Sequence, residues 1–128
     1  MGACDELTNH PYGGKGDRSQ ASLGNRALVE KTIALAHKPV AITEVGFPTS
    51  GPTSDSLAYS ESEQANAVFD FVTWARSKAP AVALVTVYGY RDATLGGGYG
   101  VELHSGARKL SYTALHSAVA GVRCTVCG

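Results

Sequence analysis

Apolar positions along this chain keep two rhythms. From about Leu23 to His37, residues Ala27, Leu28, Thr32, Leu35 and Ala36 recur every three to four positions, which predicts a helix. A second helical stretch places Ala65, Val68, Val72 and Ala75 on one face, with Phe69 and Trp74 adding bulk. Ser60 and Glu63 form the S-x-x-E pattern that opens it. Pro80, which has no amide proton to donate, closes it. A third helix is predicted from Leu110 to Ala120, with Gly121 as its stop. The other rhythm is the short unbroken apolar run. Pro39, Val40, Ala41 and Ile42 predict a buried strand over 39–44, ended by Thr43 and Glu44. "VALVTVY", 82–88, predicts a strand covered on both faces. Residues 3–12, ending in "NHPY", read as a short or truncated strand.

The resulting order alternates strand, helix, strand, helix, strand, helix. That alternation predicts an α/β unit with parallel strands and helices outside. The segments that follow strands are long: "GGKGDRSQA" at 13–21, the Pro- and Gly-rich stretch 45–59, and "DATLGGGYG" at 92–100. The returns, "HKP" and "KAP", are short. In β/α architectures the loops at the C-terminal ends of strands carry the chemistry. This asymmetry fits a barrel and an open sheet equally.

Length and charge narrow the classes. The chain has 128 residues and zero formal net charge, so one domain is the most it holds. No Lys/Arg stripe marks a nucleic-acid footprint, and no apolar run reaches membrane-spanning length. The first fourteen residues lack the basic-then-apolar order of a signal peptide. The three cysteines include a C-x-x-C at Cys124 and Cys127. A redox motif of that spacing normally opens a helix after a strand, and a structural zinc site needs a second pair of ligands. Neither context is visible, so 122–128 reads as a frayed tail, with a disulfide or metal role for the cysteine pair as the less favoured reading.

Parallel strands bring three ends together. The first offers His10 and Tyr12, the second Glu44, and the third Tyr88, Arg91 and Asp92, with Tyr90 between them. A lone carboxylate at the end of a buried strand is costly unless it is paired, hydrogen-bonded or used. Aromatic rings stack on sugar faces, and a carboxylate can attack or stabilise an anomeric carbon. The same glutamate can equally serve an ion pair, and His10 alone reads as structural. "GGGYG" lacks the G-K-[ST] of a phosphate cradle. Ser50 lacks the G-x-S-x-G elbow. The four histidines have no metal-ligand spacing, so no metal site is expected.

Several stretches resemble one known group. "VAITEVGFPTSG" resembles strand seven of the (β/α)8 retaining glycoside hydrolases of clan A, cellulase-like families and their neighbours. "HPYGG" is similar to the end of strand six. "VTVYGYRDATLGGGYGVELHSGARKLSYTALHSAVAG" is similar to strand eight, its loop and the last helix. "ESEQA" fits the start of helix seven. The resemblance spans about residues 4 to 121 and rests on four motifs in the right order. It implies a partial (β/α)8 TIM barrel of about three βα units over 1–121, with 122–128 as a tail.

The resemblance also implies roles. Glu44 is the expected nucleophile, Tyr12 its hydrogen-bond donor, and His10 and Tyr88 sugar-lining groups. Arg91 and Asp92 are expected to support the loop. The substrate is an oligo- or polysaccharide, and no cofactor is called for. Relatives are commonly secreted. One departure is large. Retaining hydrolysis needs a second carboxylate roughly 5 Å from the first, which these families carry as a Glu after Asn on strand four. No Asn-Glu pair occurs in this sequence, and a complete barrel takes about 250 residues. The expected partner is therefore the missing N-terminal barrel portion, and the isolated chain is expected to be inactive. A noncatalytic carbohydrate-binding or assembly fragment is the alternative.

Overall fold

The computed structural model describes residues 5–12, 21–49, 58–94 and 97–128. The segments 13–20 and 50–57, where two of the long loops are expected, lie outside the described residues, as does Ser50. Three strands, β1 (Leu7–Asn9), β2 (Val40–Val45) and β3 (Val82–Val87), form one parallel sheet in the order β1-β2-β3. Three helices, α1 (Ala21–Ala36), α2 (Glu61–Ser77) and α3 (Leu110–Ala120), alternate with them. Leu7 pairs with Val40, and Ile42 with Val85. The unit is three consecutive βα elements around one parallel sheet.

Helix boundaries follow local chemistry. The Ser60 hydroxyl accepts from the Glu63 amide at 3.2 Å, and the Glu63 carboxylate accepts from the Ser60 amide at 2.7 Å. Both groups would otherwise be orphan donors of α2. At the end of α3, Gly121 takes a left-handed conformation, φ 71°. Its amide reaches Ala118 O and the Val122 amide reaches Ser117 O, the paired bonds of a Schellman stop. Arg76 of α2 donates to Ala118 O at 2.6 Å, placing a cation at the negative end of α3.

The core collects Val29 of α1, Val68, Phe71 and Ala75 of α2, and Val40, Ile42, Val45 and Val82 of the sheet, with Leu115 of α3 against it. α1 and α2 thus bury residues into one cluster with the strands, while the buried Ala114 of α3 joins Ala65 of α2 and Cys124 in a second cluster. An Arg26–Asp70 ion pair at 2.8 Å ties α1 to α2. No helix among the described residues is long and apolar enough to cross a membrane.

The short strand read within 3–12 is β1, Leu7–Asn9. Two other expectations need correction. β3 is not covered on both faces: Leu84 is 51% exposed, and Ala83 and Thr86 are exposed as well. β3 is an edge of the three-strand sheet, whereas β2, flanked on both sides, buries Val40, Ala41 and Ile42. The tail is not frayed. Cys124 and Cys127 are joined by a disulfide, and Cys124 packs with Ala65 of α2 and Ala114 of α3. A C-x-x-C needs no second ligand pair when its own two sulfurs bond.

Candidate active site

Glu44 is the penultimate residue of β2, half-buried at its C-terminal end. Tyr12, three residues beyond β1, donates a hydrogen bond to its Oε1 at 2.5 Å. The parallel pairing of β1 with β2 is what brings these two positions together. Burial raises the Tyr12 phenol above its ordinary value, and the Glu44 carboxylate adds to that by accepting the proton and by its charge. His10 lies at the same sheet end, but its Nε2 shares a 2.9 Å hydrogen bond with Thr43 rather than with Glu44.

Tyr88 follows β3 directly, and its amide donates to Val45 O at 2.7 Å. Its ring is half exposed. The peptide bond between Tyr88 and Gly89 is cis. Between Tyr88 and Tyr12 stands a ring that sequence reasoning did not single out, Tyr99. Its centroid is 5.5 Å from that of Tyr88 and 6.4 Å from that of Tyr12, meeting the latter edge-on at 88°. These are ordinary separations for attractive aromatic pairs. Gly46, two residues after Glu44, makes room for both: a Cβ there would sit 2.5 Å from Tyr88 O and 2.8 Å from Tyr99 Cδ1. The sheet end therefore carries Glu44 beside a row of three tyrosines.

Below that row lies a buried polar network. Gln64 of α2 is almost fully buried. Its Nε2 donates to Phe47 O at 2.8 Å, Gly98 O at 3.2 Å and Gly100 O at 3.3 Å, and its Oε1 accepts from Ser111 at 2.8 Å. Lys109 is also buried. Its Nζ lies 2.7 Å from Asp92 Oδ2 and donates to Thr49 Oγ1 at 2.9 Å and Gly98 O at 3.0 Å. Asp92 additionally accepts from the Gly100 amide at 2.8 Å. These two side chains fasten residues 97–100, and so Tyr99, to the segment that follows β2.

Arg91 and Tyr90 turn to a different carboxylate. Arg91 donates through Nε and Nη2 to Glu102 Oε2, and Tyr90 donates to Glu102 Oε1 at 3.0 Å. The Arg91 guanidinium holds the Glu102 carboxyl below its usual range, with help from Tyr90. The same bond, seen from the phenol, raises Tyr90. Arg91 and Asp92 thus both make loop contacts within this chain.

Tyr99, Gln64, Glu102 and Lys109 were absent from the sequence-derived set. Lys109 carried a usable signal. It occupies the position before α3 where a capping Ser, Thr or Asp is common, and it makes no side-chain cap. A lysine there has another use for its side chain. Among the described residues, no group of three or more His, Cys, Asp or Glu side chains is arranged to hold a metal ion.

The architecture is shared with portions of solved glycosidase structures. The endo-1,4-beta-xylanase XylE of Penicillium canescens superposes with a TM-score of 0.63 at 24% identity, over 83% of this chain and 34% of that one. A beta-glucuronidase of Faecalibacterium prausnitzii gives 0.64 at 20% identity, over 93% of this chain and 21% of that one. Xylanase 10B of Thermotoga maritima gives 0.56 at 18% identity, over 91% and 35%. This chain therefore spans about a third or less of each. No protein-family model and no curated protein sequence matches it. The likeness defines the fold: a partial (β/α)8 barrel of the kind found in glycoside hydrolases.

Proposed function

We propose that this chain is the nucleophile-bearing part of a retaining glycoside hydrolase, acting within a larger catalytic barrel. One observation carries the reading. On a glycosidase-type barrel fold, a strand-end carboxylate accepts a tyrosine hydroxyl from the neighbouring strand end and stands beside exposed aromatic rings. In the proposed reaction a Glu44 oxygen bonds to the anomeric carbon as the bond to the leaving oxygen breaks. The Tyr12 hydroxyl orients the attacking carboxylate. Tyr88 offers a face for a sugar ring, and His10 borders the same end. Water then attacks the anomeric carbon, giving a proton to the acid/base group, as the ester to Glu44 breaks and the carboxylate is restored.

The leaving oxygen needs a proton donor, and no second carboxylate of this chain is proposed for that task. Asp92 and Glu102 are engaged by Lys109 and Arg91. The acid/base is assigned to the missing N-terminal barrel portion, so the isolated chain is expected to be without turnover. The substrate is an oligo- or polysaccharide, and the neighbours, which include xylanases and glucuronidases, make neutral and uronic glycans the first to try.

Covalent trapping tests this. The full-length barrel protein carrying this segment is treated with 2-deoxy-2-fluoro glycosides of xylose, glucose and glucuronic acid, and the labelled peptide is mapped. A sugar ester on Glu44, absent in Glu44→Gln, is the expected result. Turnover that persists in Glu44→Gln overturns the assignment. Exposure of Tyr12, Tyr88 and Tyr90 also favours a second reading, a noncatalytic sugar-binding fragment. It predicts saturable oligosaccharide binding that Tyr88→Ala abolishes and Glu44→Gln spares.

A further inference from the structure

We infer that Tyr99 is a positioning residue for the Glu44 carboxylate, acting through the ring of Tyr12. The inference rests on the proposed role of Glu44. Tyr12 makes the hydrogen bond to that carboxylate, yet the residue is 41% exposed and stands outside the strand. A ring so placed has more than one rotamer open to it unless something borders it. The ring that borders it is Tyr99, edge-on.

Tyr99 in turn is held from three sides. Gln64 and Lys109 grip the carbonyls of Gly98 and Gly100 on either side of it. The Thr49 amide also donates to Gly98 O, at 2.9 Å. The Tyr88 ring lies against its other flank. Gly46 leaves the space that the ring fills. Burying a lysine and a glutamine beneath a loop is an expensive way to gain stability, because apolar residues of similar volume often do as well. What this network fixes is the place of residues 97–100, and Tyr99 is the one side chain among them.

The test is kinetic, in the full-length barrel protein carrying this segment. Tyr99→Leu removes the ring edge and Tyr99→Phe keeps it. Loss of registration at a reacting group costs up to about a hundredfold in rate. Tyr99→Leu is therefore expected to lower kcat by roughly 10- to 100-fold, with KM within about twofold and the thermal midpoint close to wild type. Tyr99→Phe is expected to restore most of that loss. The double variant Tyr12→Phe/Tyr99→Leu should lose no more than the worse single variant, since both changes act through one hydroxyl. Losses that multiply, a Tyr99→Phe as poor as Tyr99→Leu, or an unchanged kcat in Tyr99→Leu each overturn the inference while leaving Glu44 in place. Full activity in Glu44→Gln instead removes the reading on which it rests.

Discussion

Lys109 Nζ lies 2.7 Å from the Asp92 carboxylate with its own side chain wholly removed from solvent. The two residues sit at opposite ends of the segment joining β3 to α3, so their contact closes that segment on itself. The remaining donors of Lys109 reach Thr49 and Gly98, which leaves the buried ammonium well satisfied. Removing one member of such a pair strands the other. Lys109→Met is expected to destabilise the fold by about 3–5 kcal/mol. Lys109→Met combined with Asp92→Asn should recover part of that loss. Denaturant titration of the three proteins gives the comparison, and equal losses in the single and double variants would count against a stranded carboxylate.

Gly46 governs the approach of β2 to the two tyrosines beyond β3. A methyl group there would lie 2.5 Å from a backbone oxygen, Tyr88 O, which cannot swing aside as a side-chain tip can. Gly46→Ala is therefore expected to cost about 1–3 kcal/mol by overpacking. Its larger consequence should be local, with Tyr88 and Tyr99 pushed away from the end of β2. Chemical-shift changes centred on Tyr88, Tyr99 and Tyr12 are the expected signature. Changes spread evenly over the core would contradict it.

How much of this was legible in the sequence depends on the range of the forces involved. The capping box at Ser60 and Glu63 and the stop at Gly121 were readable because each is satisfied within a few residues. Glu44 was readable because a charge after "VAI" breaks a buried run. Tyr99 was not, because its importance comes from Tyr12, far from it in sequence and brought near by sheet order, and from Tyr88, met across a fold of their shared loop. Lys109 and Gln64 were missed because their partners, Asp92, Thr49, Ser111 and several backbone carbonyls, come within reach only once the chain is folded. The exposure of β3 was misread because an almost unbroken apolar run looks alike in a central strand and at an open edge.

Acid should loosen the loop that carries Arg91. The Glu102 carboxyl titrates below its ordinary value because Arg91, and then Tyr90, bond its ionised form. A carboxyl lowered on folding adds stability above its unfolded value, about 4.3, and loses it as pH falls through the folded value. Stability is thus expected to decline below about pH 4. Glu102→Gln should flatten that decline. The raised Tyr12 phenol works in the opposite direction. Its contribution is complete below about pH 10 and is lost as pH rises toward the folded value. Thermal midpoints across pH, compared between wild type and Glu102→Gln, separate the two limbs. An acid limb identical in both proteins would remove Glu102 as its source.

The tail offers a redox test of how α2 and α3 are held together. The Cys124–Cys127 disulfide closes a very short loop, for which chain entropy gives a stabilisation of about 2 kcal/mol. Cys124 is nearly buried against Ala65 and Ala114, and the Gly128 amide donates to Asn66 at 3.1 Å, so the closed loop is docked rather than free. Dithiothreitol, becoming oxidised itself, would convert the disulfide to two thiols. The expected outcome is a stability loss of at most about 2 kcal/mol, with amide exchange quickening over 122–128 and at the start of α2. Cys124→Ser/Cys127→Ser should match the reduced protein and be insensitive to the reductant. Reduction that leaves exchange over 122–128 unchanged would show that packing alone seats the tail.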